Sequence, residues 1–170
     1  TSLKDANEGA DLLGSAVQGV QAVRPASTPY ITVIAHSYGS TAALIELQKG
    51  DVTVNALALI GSPGAAVQTA SSLSVSHDNV FVGEAAWDPI VNTAFYGSDP
   101  GSSSFGAKTM DVAATTDPIT GKKLAAAVGH LGYFDTGTTA MRNLALIGLG
   151  QGSLVTTGSV SDAGKTLAGR

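Results

Sequence analysis

The hydrophobic and polar positions along the chain predict an alternation of helices and strands. From Ala6 to Val20 the apolar residues recur every three or four positions, which is the spacing of one helical face. Ser2 followed by Asp5 fits the capped start of this helix, and Pro25 prevents its continuation. Three short, nearly continuous apolar runs follow this helix along the chain, at residues 30–35, 56–60 and 79–83. Runs of this kind are typical of strands that are buried on both faces of a parallel sheet.

The remaining elements complete the pattern of an α/β fold. Two more helices and one more strand are predicted, at residues 39–49, 138–149 and 108–113. Residues 91–105 are expected to form a loop. The order strand, helix, strand, connection, strand predicts an α/β protein with a mainly parallel sheet flanked by helices. We expect this domain to span residues 1–150, followed by a weakly ordered tail at 151–170 with a short helical turn near Asp162.

Composition and charge narrow the classes of protein to which the chain can belong. It has 170 residues, 44% of them hydrophobic, which is enough for one domain with a core. Only 13% are charged and the net charge is −4, which excludes a disordered, charge-rich chain and a basic nucleic-acid binder. The absence of cysteine excludes a disulfide scaffold and a thiol nucleophile. No apolar run is long enough to span a membrane, and no signal peptide is visible, so the sequence is compatible with a cytoplasmic or a secreted protein.

The strongest chemical signal lies where the first strand meets the second helix. The sequence Ala-His-Ser-Tyr-Gly at 35–39 has a small residue two positions before and two positions after Ser37. This is the pattern of a nucleophile elbow, in which a tight, strained turn exposes a serine hydroxyl above the sheet. The backbone N–H of Tyr38, at the start of the helix, then points to where an oxyanion would form. The alternative is that Ser37 is an ordinary helix N-cap.

A serine nucleophile needs a general base and an acid that orients it. In this kind of fold the acid and then the histidine follow the serine along the chain. Asp88 lies shortly after the third strand, and His130 lies in a glycine-flanked loop. The predicted catalytic residues are therefore Ser37, Asp88 and His130. Asp135 is the fallback for the acid, and Glu84 is a weaker candidate because it is still close to the strand.

The other histidines, acids and serines have simpler interpretations. His77 precedes the third strand and therefore belongs to the opposite edge of the sheet. Asp99 and Asp117 precede prolines and are interpreted as turn formers. Ser62 is followed by a proline, which has no N–H to offer an oxyanion, so we interpret it as part of a turn.

Three residues beside the predicted catalytic positions are candidates for a substrate pocket. They are His36, Trp87 and Tyr133. His36 also fits a role in shaping the elbow. Trp87, the only tryptophan, is equally consistent with an acyl pocket and with a plug in the core. Tyr133 is interpreted either as a pocket wall or as a packing residue.

Several motifs, taken together, resemble a poorly characterised α/β-hydrolase family found mostly in actinobacteria. The motifs are Ala-His-Ser-Tyr-Gly-Ser at 35–40, Gly-Ser-Pro-Gly at 61–64, Asp-Pro-Ile at 88–90, Phe-Gly-Ala at 105–107, and Gly129-His130 followed by Tyr133-Phe134. The resemblance implies the α/β-hydrolase fold and a triad of Ser37, Asp88 and His130. It implies no particular substrate. Ala35 stands where that family usually has glycine.

The chain resembles only the C-terminal part of that fold. In the full fold several strands precede the nucleophile strand, and a loop after one of them supplies the second oxyanion donor. We therefore expect this second donor to lie outside the chain. We also expect the strand Ile31–Ala35 to have an unpaired edge, which natural proteins rarely leave open. The expected partner is an N-terminal segment that is cleaved off or encoded apart, or a second copy of the chain.

The function predicted from these features is a serine hydrolase of the esterase or lipase kind. It would cleave an ester, thioester or amide of a small acyl substrate through an acyl-enzyme on Ser37, without a metal or an organic cofactor. Two alternatives use the same fold: a catalytically silent binding module, and an acyltransferase with the same triad.

Overall fold

A four-stranded parallel sheet with helices on both faces forms the body of the protein. The structure is a computed structural model that describes residues 2–24, 27–91 and 93–158. The sheet has the order β1-β2-β3-β4, and this architecture confirms the predicted α/β class. In chain order the elements are α1 (Leu3–Ala22), β1 (Thr32–His36), α2 (Tyr38–Lys49), β2 (Ala56–Ile60), β3 (Val80–Gly83), β4 (Lys108–Thr109), β5 (Thr115–Thr116), β6 (Lys123–Leu124) and α3 (Thr139–Gly148).

The first helix begins with the predicted cap and packs closely on α2. Ser2 and Asp5 form a reciprocal capping box at its N-terminus. A Cβ atom on Gly14 would lie 2.0 Å from Oε1 of Glu46, so a larger residue at position 14 would displace the Glu46 carboxylate. The Glu46 carboxylate is buried there and accepts a hydrogen bond from Nζ of Lys49 at 2.9 Å.

Strand β2 is buried on both faces, as its continuous apolar sequence predicts. Leu57 and Leu59 belong to the apolar cluster that includes residues of α2. Ala58 and Ile60 point to the other face and belong to the cluster that includes Leu144 of α3. Since each fully buried Leu or Ile side chain contributes ~1.5–3 kcal/mol, this strand is the centre of the hydrophobic core.

Strand β1 is less buried than predicted. Within the described residues it pairs with β2 on one side only, and its Ile34 side chain is 41% exposed. An apolar groove of about 440 Å³ lies beside it, lined by Ile34, Phe134, Met141, Leu144, Ala145, Gly148 and Leu149. The expectation of a strand covered on both faces is therefore wrong for β1, because α3 covers only part of the face that carries Ile34 and leaves this groove open.

The C-terminal half is held together mainly by loops. Strand β4 is shorter than the predicted 108–113, because the Asp111 carboxylate closes a turn by accepting the N–H of Ala113. Thr138 caps the N-terminus of α3. Val155 is buried, and Asn143 donates a hydrogen bond to Oγ1 of Thr156.

Residues 151–158 thus pack on the body of the protein, beyond the predicted boundary at residue 150. The rest of the predicted tail, including Asp162, lies outside the described residues. Among the helices that the structure describes, none has the length and the apolar character required to cross a membrane.

Candidate active site

Ser37 lies on a strained turn between β1 and α2. Its backbone has φ 54° and ψ −134°, a conformation that is unfavourable for a residue with a side chain and that costs ~1–3 kcal/mol. Hydrogen bonds to backbone groups of Ser37 hold the turn. The N–H of Ser37 donates to the carbonyl of Ile60 at 3.0 Å, and the Ser40 hydroxyl donates to the carbonyl of Ser37 at 2.6 Å. This is the geometry that the elbow pattern predicts.

A small network of buried hydroxyl groups, those of Ser40 and Ser62, supports the turn at Ser37. The hydroxyl of buried Ser40 also lies 2.7 Å from that of Ser62. Ser62 is itself buried and accepts the N–H of Gly64 at 3.1 Å. Ser62 therefore acts as a turn residue, as predicted, and has no exposed hydroxyl.

The side chains of Ser37, His130 and Asp88 form one hydrogen-bonded chain. Nε2 of His130 is 2.7 Å from Oγ of Ser37, and Nδ1 is 2.9 Å and 3.0 Å from the two carboxylate oxygens of Asp88. A carboxylate only accepts hydrogen bonds, so Nδ1 carries the ring proton and Nε2 is free to accept the serine proton. An imidazole in this tautomer can remove a proton from a hydroxyl group.

Asp88 is held in place by donors on both of its oxygens. Its side chain is fully buried. Oδ1 accepts the N–H of Ile90 at 2.9 Å, and Oδ2 accepts the hydroxyl of Tyr133 at 2.7 Å. The preceding residue, Trp87, has a positive φ of 62°, within a turn in which the N–H of Asp88 reaches the carbonyl of Ala85. A strained turn therefore directs the carboxylate toward the histidine.

The loop that carries His130 is attached to the segment just before Asp88. The N–H of Gly129 donates to the carbonyl of Ala86 at 2.8 Å, and Ala86 and Val128 form an isolated parallel bridge. His36 holds the same loop from the other side, since its Nε2–H donates to the backbone carbonyl of His130 at 2.7 Å. The rings of the two histidines are 4.5 Å apart.

The three candidate pocket residues have different environments. His36 is half-buried beside His130 and shapes the site from within. Trp87 is 82% exposed, so the alternative that it plugs the core is wrong, and its role in a pocket stays a prediction. Tyr133 is fully buried, so its prediction as part of a pocket wall is wrong. Its hydroxyl faces Asp88, and it has no surface to offer a substrate.

Among the described residues, no hydrogen bond or ion pair joins the other candidates to His130. Asp135 is exposed, and His77 is exposed at the N-terminal end of β3. Asp117 forms an ion pair with Arg142 at 3.0 Å. Asp99 accepts the N–H of Gly101 and so closes a turn, as predicted.

Glu84 is a second titratable group near the acid. Burial, together with the negative charge of Asp99 and of Asp88, raises the pKa of Glu84 from its usual 4.5 to about 7. Glu84 also lines a cavity of about 390 Å³ at the ends of β3 and β4, to which none of Ser37, Asp88 and His130 contributes.

Sequence reasoning missed Gly61, which lies directly against the acid and the base. Its φ is 56°, and a Cβ atom there would lie 2.9 Å from Oδ2 of Asp88 and 3.0 Å from Cε1 of His130. The Gly-Ser-Pro-Gly motif contained the signal, because a glycine directly after a parallel strand lies at the edge of the sheet where the site residues meet.

The N-terminus of α2 offers backbone N–H groups to the site. Tyr38 is the first residue of the helix, a position whose N–H has no acceptor within the helix itself. The helix dipole adds partial positive charge at this end. In residues 2–24, 27–91 and 93–158, no group of three or more His, Cys, Asp or Glu side chains is arranged to hold a metal ion.

Comparison with known proteins identifies the family. A family profile described as alpha/beta hydrolase matches residues 2–98, which is more than half of the chain, and the chain belongs to this family. The matched segment includes Ser37 and Asp88 and ends before His130.

The curated relatives are uncharacterized mycobacterial proteins. One from Mycobacterium bovis and one from Mycobacterium tuberculosis are each 33% identical to the chain over 99 residues, which is 58% of this chain and 35% of the relative. The alignment thus spans about a third of the length of these relatives. No solved structure matches the chain.

Proposed function

We propose that this chain carries the catalytic triad of a serine hydrolase that cleaves an ester, thioester or amide through an acyl-enzyme on Ser37. The observation that carries the proposal is the continuous hydrogen-bonded chain from Oγ of Ser37 through His130 to Asp88, with the serine on a strained turn. A buried carboxylate and an imidazole in this order lower the barrier to attack by a hydroxyl group.

In the first step, Nε2 of His130 takes the proton of the Ser37 hydroxyl as Oγ attacks the carbonyl carbon of the substrate. The electron pair of the carbonyl double bond moves to its oxygen. When the tetrahedral intermediate collapses, the leaving group departs with the proton from Nε2, and Ser37 is left acylated. Water then repeats the sequence and releases the acid. Asp88 stabilises the imidazolium that forms in each half.

The Tyr38 N–H is the proposed donor to the developing oxyanion. It lies at the N-terminus of α2, where the helix dipole favours negative charge. Removing one such donor from a site of this kind costs ~10²–10³ in rate. The second donor is proposed to lie outside this chain.

A fluorophosphonate probe tests the proposal directly, because it reacts with activated serine hydroxyls. We expect one adduct by intact mass, mapped to Ser37 by peptide analysis, and no adduct in Ser37→Ala. Ser15→Ala is the control, since Ser15 is exposed on α1 and its hydroxyl donates to the carbonyl of Asp11. A folded chain that never reacts would instead indicate a silent binding module.

Substrate assays then separate hydrolysis from acyl transfer. Small acyl esters of increasing chain length should release acid in water. If the product is instead an ester of an added alcohol at alcohol concentrations far below that of water, the same triad serves an acyltransferase.

We also propose that a β-strand from an N-terminal segment, cleaved off or encoded apart, pairs with the outer edge of β1. Support comes from the one-sided pairing of β1, the exposure of Ile34 and the apolar groove beside it. The curated relatives are about three times as long as the aligned segment. Size measurement tests this proposal, since a dimer that buries Ile34 would indicate a second copy of the chain instead.

A further inference from the structure

We propose that Tyr133 is a positioning residue that holds the Asp88 carboxylate and sets its strength as an acceptor for His130. This inference rests on the proposed function, because the pair that Tyr133 adjusts is the acid and base of the triad. It assigns Tyr133 a role in the reaction in place of a role in binding substrate.

The contacts of the Tyr133 hydroxyl are specific. The hydroxyl donates to Oδ2 of Asp88 at 2.7 Å and accepts the N–H of Ala85 at 2.9 Å. The N–H fixes the orientation of the hydroxyl, so that its single proton points to the carboxylate. The side chain is fully buried, which excludes water as a competing partner.

The two oxygens of Asp88 are therefore held from opposite ends. Ile90 donates to Oδ1, Tyr133 donates to Oδ2, and Nδ1 of His130 lies within 3.0 Å of both. With both oxygens restrained, the carboxylate cannot rotate away from the ring. Tyr133 also follows His130 by only three residues, so the segment that supplies the base also supplies the group that fixes the acid.

Tyr133 remains a donor over the whole range in which a hydrolase of this kind works. Burial and the neighbouring negative charge of Asp88 keep the pKa of the Tyr133 phenol well above its usual 10. A donor on Oδ2 withdraws negative charge from the carboxylate and weakens its attraction for the imidazolium. Removing the donor should strengthen that attraction, and a more acidic phenol should weaken it further.

These opposite effects provide the test. Tyr133→Phe removes the hydroxyl, whereas 3,5-difluorotyrosine incorporated at position 133 keeps it and makes it a stronger donor. The matched control is Tyr30→Phe, which removes the hydroxyl of a half-exposed tyrosine that contacts Gly150 and none of the triad residues. Circular dichroism and thermal unfolding show which proteins are folded.

Two readouts are measured in each protein. The first is the pH profile of the fluorophosphonate labelling rate at Ser37. We expect its acid limb to move to higher pH by roughly half a unit in Tyr133→Phe and to lower pH with difluorotyrosine, with a loss of roughly tenfold in the maximal rate of the Phe variant. The second is the low-field proton resonance of the His130 Nδ1–H group, which should move downfield in the Phe variant and upfield with difluorotyrosine.

Opposite shifts in the two altered proteins, and none in Tyr30→Phe, support the proposal. Unshifted profiles and resonances in folded proteins, or shifts of the same sign, overturn it and leave Tyr133 with a packing role only. If Tyr133→Phe does not fold, the difluorotyrosine protein decides alone by the sign of its shift. If even the unmodified chain is never labelled, the proposed function fails, while the Nδ1–H resonance still decides whether Tyr133 adjusts the Asp88–His130 pair.

Discussion

Replacing Gly61 with alanine should displace Asp88 and His130 without substituting any residue of the triad. The added Cβ would lie 2.9 Å from Oδ2 of Asp88 and 3.0 Å from Cε1 of His130, whereas ordinary contacts begin at 3.4 Å. The acid and the base must therefore move by about half an ångström. Since a displacement of about 1 Å can cost 10²-fold in rate, we expect a loss of roughly 10- to 100-fold in the labelling rate of Ser37. The positive φ of 56° adds a stability cost of about 1–2 kcal/mol.

Gly121→Ala is the matched control for backbone strain. Gly121 also has a positive φ, of 71°, but a Cβ atom there would meet nothing within 4 Å. The free energy of unfolding in urea should fall by a similar amount in the two variants, yet only Gly61→Ala should lower the labelling rate of Ser37. Second-order rate constants for the fluorophosphonate, measured on folded protein, give the comparison. Labelling of Gly61→Ala at the rate of the unmodified chain would refute the argument that this close approach sets the Asp88–His130 geometry.

Three further predictions concern Asp88, the nearby carboxyl group of Glu84, and Ile34 beside the sheet edge. Asp88→Asn should lower the labelling rate by up to ~10⁴-fold with a near-normal circular dichroism spectrum, because an amide no longer fixes the tautomer of His130; equal reactivity would move the role to another carboxylate. Folded Glu84 keeps its proton up to about pH 7, whereas the unfolded chain releases it near pH 4.5, so stability should fall as pH rises through this window. Urea unfolding at pH 5 and pH 8 should show this loss in the unmodified chain and not in Glu84→Gln. Ile34→Lys should reduce any self-association seen in size-exclusion chromatography, because it places a charge in the apolar groove beside the open edge of β1; unchanged association would mean that this region is not the contact.

The fold was largely predictable because apolar burial and turn chemistry agree along most of the chain. Strand β2 occupies the predicted residues, since both of its faces are buried and its sequence is continuously apolar. Strand β4 ends early because the Asp111 carboxylate captures a backbone N–H, a local interaction that hydrophobic patterning does not register. Val20 continues the apolar period of α1 but is 46% exposed, since periodicity shows which face a residue lies on and not how far the neighbouring helix extends.

The candidate site was predictable where the chemistry is carried by side chains in a fixed chain order. Ser37, Asp88 and His130 could be selected because a serine nucleophile requires a base and an acid after it. The roles of Gly61 and Tyr133 could not, because they depend on which atoms meet across the sheet edge. The sequence does not distinguish a buried tyrosine from one that lines a pocket, and only the position of the hydroxyl in the structure does so.

The segment between the acid and the base can vary in length without moving either. The N–H of Ala127 donates to the carbonyl of Val112 at 2.8 Å where residues 113–126 rejoin the body, and Asp117 and Ala125 tie this segment to α3. The tip of the β5–β6 hairpin, at residues 118–122, is exposed. Doubling the length of a flexible excursion of this kind costs only about 0.6 kcal/mol. We therefore expect a segment inserted at this exposed tip, such as a reporter domain, to leave Gly129 bonded to Ala86 and His130 in place.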